Sequence, residues 1–212
     1  MSLFFKILKT KTVFLSATLL VVVFCGQAFA GEVQRVNKFV FDTIPLNLEE
    51  ITESAGTIFS GIPIKIEKFD KDPISGLPVV KYTFKITEGI KGVKNKKTIS
   101  FKQWATVARE SNYIEGQKYL LFLYPDSKKG LTSPVGYLQG HFEVKKEIGS
   151  ENEVVKNKVG NAGLLRNLAT QKRVILNDQN LHDYLDASSE QGDFVRYKDF
   201  VKAVKYLVEK KQ

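Results

Sequence analysis

The stretch from Val80 to Thr87 constrains the fold more than any other. Val80, Tyr82, Phe84 and Ile86 alternate with Lys81, Thr83, Lys85 and Thr87. A period of two puts the apolar side chains on one face and the polar ones on the other, the pattern of a half-buried strand. Such a strand needs neighbours and a core under its apolar face, so the chain is predicted to be mainly β.

Other segments agree. In TIFSGIPIKIEKF, Ile58, Ser60, Ile62, Ile64 and Ile66 fall on one face of a strand; Gly61 predicts a bulge or bend, and Pro63 an edge or bulge position. Thr98 to Trp104 alternates through Ile99 and Phe101. Tyr119 to Tyr124 is the strongest apolar run, bounded by Gly116 and Pro125, and reads as a strand buried on both faces. Phe142 and Val144 alternate after the bends at Gly136 and Gly140, and Val154-Val155 pairs back through a hairpin around Gly149. DKDPISGLP, Asp70 to Pro78, is a solvated turn by its Asp, Pro and Gly content; Lys81 stands where a calcium loop that began at Asp70 would need its last acid. Thr106 to Tyr113 is a polar stretch, and NAGLLRNL from Asn161 fits a short helix or a loop.

Two helices flank these strands. Leu46 to Ser54 places Leu48 and Ile51 on one face, with Asn47 as its cap. Near the end, Tyr197, Phe200, Val201, Val204, Leu207 and Val208 have helical spacing with lysines opposite. That helix is expected to close the open end of a barrel; its basic face also fits a membrane surface. Residues 171–192 read as loop, with a short helix at 181–185.

The order LNLEEITESA, IFSGIPIKI, YTFKITEGIKG, EGQKYLLFL, GYLQGHFEV resembles bacterial exported relatives of the tissue inhibitors of metalloproteinases, within the wider netrin-like group. The shared pattern is a strand with a central Gly, a strand ending in Lys91-Gly92, and the run Gly116 with Tyr119 to Phe122. It covers about residues 46 to 145 and is carried by hydrophobic and glycine positions. With the strand count, it implies an OB-like barrel of five to six strands plus an amphipathic C-terminal helix. The eukaryotic inhibitors chelate the protease zinc through an N-terminal cysteine fixed by a disulfide. This chain is expected to begin at Gly31 with no cysteine, so inhibition by that route is not implied.

The N-terminus explains the missing cysteine. Lys6, Lys9 and Lys11 precede an apolar run from Val13 to Phe24 of about 12 residues, short of the roughly 20 that span a bilayer. Ala28-Phe29-Ala30 then fits signal-peptidase cleavage between Ala30 and Gly31. Bulky Phe24 before Cys25 argues against a lipoprotein anchor, so the only cysteine leaves with the leader. Loss of the three leader lysines takes the formal charge from +9 to +6, a mild excess that fits a solvated surface. The expected organisation is a signal peptide over 1–30, a lead-in over 31–45, a barrel over 46–170, and a loop with the C-terminal helix over 171–212. The mature protein is expected in the periplasm or outside the cell, with no transmembrane helix.

No catalytic set is visible. His141 and His182 share no metal-binding spacing, and no nucleophile elbow, phosphate loop or dinucleotide fingerprint occurs. No metal or cofactor is expected. His141, on the face opposite Phe142, reads as solvent-facing. The residues offered as partner contacts are Lys91, Lys94, Lys96 and Lys97 of the basic turn, and Trp104, the only tryptophan. The leading expectation is an exported, non-enzymatic module that binds another protein of the envelope or exterior. An envelope polysaccharide, stacked on Trp104, is the alternative, and an enzyme with an unrecognised carboxylate site comes third. Export argues against nucleic acid, although lysines and aromatics interleave.

Overall fold

The computed structural model describes residues 44–147, 149–161, 163, 164, 166 and 194–209. The leader with Cys25, the Ala30–Gly31 junction, most of the lead-in, the loop over 171–192 with the helix expected at 181–185, and His182 lie outside the described residues.

Asn47 opens helix α1 (Leu48–Ser54) with a capping box. Its side-chain oxygen accepts the Glu50 N–H at 2.9 Å, and the Glu50 carboxylate accepts the Asn47 N–H at 2.8 Å. Two otherwise orphaned donors are satisfied at once. Leu48 and Ile51 turn inward.

Strands β1 (Thr57–Phe69) and β2 (Val79–Lys91) form a long hairpin, with β3 (Thr98–Trp104) beside β2. The register of β1 shifts at Ser60/Gly61 and again at Pro63/Lys65. A Cβ on Gly61 would lie 2.8 Å from the Lys85 carbonyl oxygen, so glycine is required there. Each shift changes which residues share a face. That is why Ile58 is buried while Ile64, expected on the same face, is 51 % exposed. The polar stretch after Trp104 contains a further helix, α2 (Ala105–Ser111). Only the small residues Ala108 and Ser111 are buried on it, which leaves no apolar stripe to read in the sequence.

Strand β4 (Tyr119–Leu123) pairs with the first half of β1 and is buried at all of its positions. Beyond it come β5 (His141–Lys146), β6 (Glu153–Asn157), β7 (Val195–Arg196) and helix α3 (Tyr197–Glu209). The seven strands form one antiparallel sheet in the order β3-β2-β1-β4-β5-β6-β7. Five or six strands were expected; β7 has two residues, too few for any periodicity. The edge strand β3 is tied back to β4 by the segment from Leu131 to Pro134. Lys102 bridges Leu131 in parallel and Leu123 bridges Pro134 in antiparallel. The Thr132 N–H donates to the Lys102 carbonyl and the Tyr124 N–H to the Ser133 carbonyl, each at 3.0 Å.

The core has two parts, one on each face of β4. Leu120 and Phe122 join Ile51, Ile58, Phe142, Phe200 and Val204 between the sheet and helices α1 and α3. Tyr119, Leu121 and Leu123 join Phe59, Tyr82, Phe84, Phe101 and Tyr113 on the other side. Residues directly opposite in a ladder share a face, and His141 lies opposite Leu121. His141 is therefore buried, with 0 % exposure, and not solvent-facing. The face opposite Phe142 is the second half of the core. Helix α3 is clasped to the sheet through Tyr197, whose hydroxyl reaches Ser60 Oγ at 2.8 Å and Glu88 Oε2 at 2.7 Å. Lys205 Nζ donates to the other Glu88 oxygen at 2.6 Å. No helix among the described residues is long and apolar enough to cross a membrane.

Candidate functional site

The connection from β1 to β2 is built around Asp72. Its carboxylate accepts the Ser75 N–H at 2.8 Å and the Ile74 N–H at 3.2 Å, and it forms an ion pair with Lys102 of β3. The Lys102 bond, followed by the Ser75 N–H, holds the Asp72 carboxyl down to about 2. The Asp72 N–H donates to the Leu77 carbonyl at 2.8 Å, and the Ala105 N–H donates to the Pro78 carbonyl at 2.9 Å. Asp70 and Lys71 are exposed, as a solvated turn requires, but Asp72 is buried. The loop is thus pinned from below to β3 and to the start of α2.

That anchorage presents apolar side chains to solvent. Ile74 is 66 % exposed, Trp104 45 %, Phe69 39 % and Leu77 37 %. Phe69 pairs with Val79 and Val79 with Trp104, so the two aromatic residues flank a buried valine along one row across three strands. Trp104 also precedes the first residue of α2, where the backbone turns from strand to helix. Clustered large apolar side chains at one end of a rigid hairpin are a surface built for contact.

The basic turn lies elsewhere. Lys94, Lys96 and Lys97 are exposed between β2 and β3, and Lys91 Nζ donates to the Thr52 carbonyl at 3.1 Å. All of β3 separates Lys97 from Trp104, a span of roughly 20 Å at the rise of an extended strand. The structure does not bring the lysines and the tryptophan together. Lys96 instead borders a shallow cavity of about 240 Å3 with Thr57, Tyr124 and Asp126.

Polar atoms also sit inside the second half of the core. The His141 ring stacks on Tyr113 at 4.8 Å and meets Tyr119 edge-on at 5.2 Å. Neither of its nitrogens has a hydrogen-bond partner. Burial pushes its pKa down to about 3, with Lys158 acting in the same direction, so the ring is neutral at physiological pH. Gln103 is fully buried with both amide atoms unpartnered. The Tyr113 hydroxyl is close to Gln103 and Ser111 without bonding geometry to either, and burial pushes its pKa up. Gln103 follows Phe101 by two residues, so strand alternation placed it inward; its polarity drew attention away from that position. Among the described residues no three His, Cys, Asp or Glu side chains gather closely enough to hold a metal ion.

No family model matches the chain, and no curated protein or solved structure matches it.

Proposed function

We propose that the chain is an exported, non-enzymatic, OB-like binding module that acts on another protein in the cell envelope or outside the cell. The observation that carries this reading is the exposed group made of Ile74 and Leu77, on the loop that Asp72 and Lys102 anchor, and Phe69 and Trp104, at the ends of β1 and β3 beside it. A partner that covers it gains the burial of large apolar side chains while the loop loses little freedom on binding. Tryptophan in such a patch is a frequent energetic anchor.

The OB-like reading is supported by the link from β3 through Leu131–Pro134 to β4, which with β1 and β2 makes a ring of five extended segments. The OB-fold is a five-stranded, partly open Greek-key barrel. Helix α2 between β3 and β4, and α1 and α3 at either end, are consistent with it. Kinship with the netrin-like group rests on the glycine and apolar pattern, and export rests on the leader.

The test is site-specific photocrosslinking in intact cells, with the reactive residue at position 74 or, as a control at the other end of β3, at position 97. One discrete protein adduct from position 74 and none from position 97 is the expected result. Equal adducts from both positions, or none from either, overturn the reading. The exposure of Trp104 favours envelope polysaccharide as the second reading. Because Trp104 is the only tryptophan, a saturable change in its fluorescence on titration with polysaccharide fragments, without a protein adduct, supports that reading instead.

A further inference from the structure

A groove of about 520 Å3 opens on the other face of the hairpin, between β1, β2 and α2. Ile66, half-buried, lines it from the sheet, and the edges of Val80, Ala108, Tyr82 and Tyr113, largely buried in the second cluster, form its floor. Two charged side chains border it, Lys68 from β1 and Arg109 from α2, and no acidic side chain does. Both are exposed, and among the described residues neither has an ion-pair or hydrogen-bond partner. By contrast the nearby cations Lys65 and Lys102 are paired with Glu67 and Asp72. The groove therefore joins an apolar wall to two uncommitted positive charges on opposite banks.

We propose that this groove binds a small amphiphilic carboxylate, with its apolar body against Ile66, Val80 and Ala108 and its anionic group between Lys68 and Arg109. The volume lies within the range of small-molecule sites. Burial of the ligand's apolar body supplies most of the affinity. The two cations select the charge and set which end faces outward, because an arginine and a lysine at the rim favour a carboxylate over a neutral group of the same shape. This site is separate from the Phe69–Trp104 row, which lies on the opposite face of β2, and it does not depend on a protein partner.

The test titrates the purified full chain with 2-naphthoate and, as the uncharged isostere, 2-naphthamide, followed by calorimetry at low salt. The expected result is saturable one-to-one binding of the carboxylate, about tenfold tighter than the amide. Arg109→Glu and, independently, Lys68→Glu should each weaken the carboxylate by about tenfold or more and leave the amide unchanged. Both positions are exposed, so the thermal midpoints should remain those of the parent. Failure of 2-naphthoate to saturate, equal affinity for the two compounds, or indifference to both charge reversals overturns the proposal.

Discussion

The two faces of β4 meet different interiors. Leu120 and Phe122 enter a cluster of aliphatic and aromatic side chains packed by α1 and α3. There the Tyr197 hydroxyl meets Ser60 and the Thr52 hydroxyl donates to the Leu48 carbonyl. Tyr119, Leu121 and Leu123 enter a cluster into which Gln103, Ser111, Tyr113 and His141 bring atoms with no partner. Each such atom costs about 1–3 kcal/mol when left unpaired in an apolar setting. The second face thus accepts a cost in stability. The groove beside Tyr82 lies on that second face, whereas the Phe69–Trp104 row lies on the reverse side of β2 and β3.

The comparison can be broken from either side. The largest effect is expected in the first cluster: Phe142→Ala should cost about 3–5 kcal/mol in denaturant unfolding, because the ring is fully buried against Phe122 and Phe200. The second cluster should instead show its cost in acid. Unfolded, His141 takes up a proton near 6.5; folded, only near 3. Between those values the unfolded state binds more protons, so stability is complete above pH 6.5 and falls as the pH drops, by up to about 1.4 kcal/mol per pH unit. Asp72, held down to about 2, does not titrate in this window. Unfolding measured from about pH 7 to about pH 5 should show that slope in the parent and a flatter line in His141→Phe; parallel lines would remove the distinction between the faces. Next in size, Asn47→Ala removes the cap of α1 and should cost about 1 kcal/mol, read by the same denaturation. The smallest change in stability is expected at the recognition loop. Ile74→Ser should shift unfolding by no more than about 0.5 kcal/mol, yet reduce the adduct formed from a crosslinker placed at Leu77.

The alternation over β2, the doubly buried β4, the hairpin at Gly149 and the capped first helix were all legible, because each depends on local periodicity or on a single capping residue. The errors have local causes too. Three register shifts against β2 cut a face of five positions, four of them apolar, that reads as continuous, and so Ile64 turns outward. His141 was misplaced because alternation tells which face a residue takes, not whether that face is covered; the cover comes from Tyr113 and Tyr119. Helix α2 buries only small side chains and left no apolar signal. At the candidate site, Trp104 stood out as the only tryptophan, but its companions did not. Phe69, Ile74 and Leu77 become a patch only because Asp72 folds back on Lys102, a contact across 30 positions that no pattern announces.

The clasp of Tyr197 and Lys205 on Ser60 and Glu88 joins parts of the chain more than 100 positions apart. Synthesis delivers β1 well before α3. Until α3 arrives, Leu120, Phe122 and Phe142 lack part of their cover, so the first cluster cannot close without it. Non-local contacts of this kind slow folding and postpone it until both partners are present. The clasp is therefore a latch: the arrival of α3 sets the moment at which the first cluster can close.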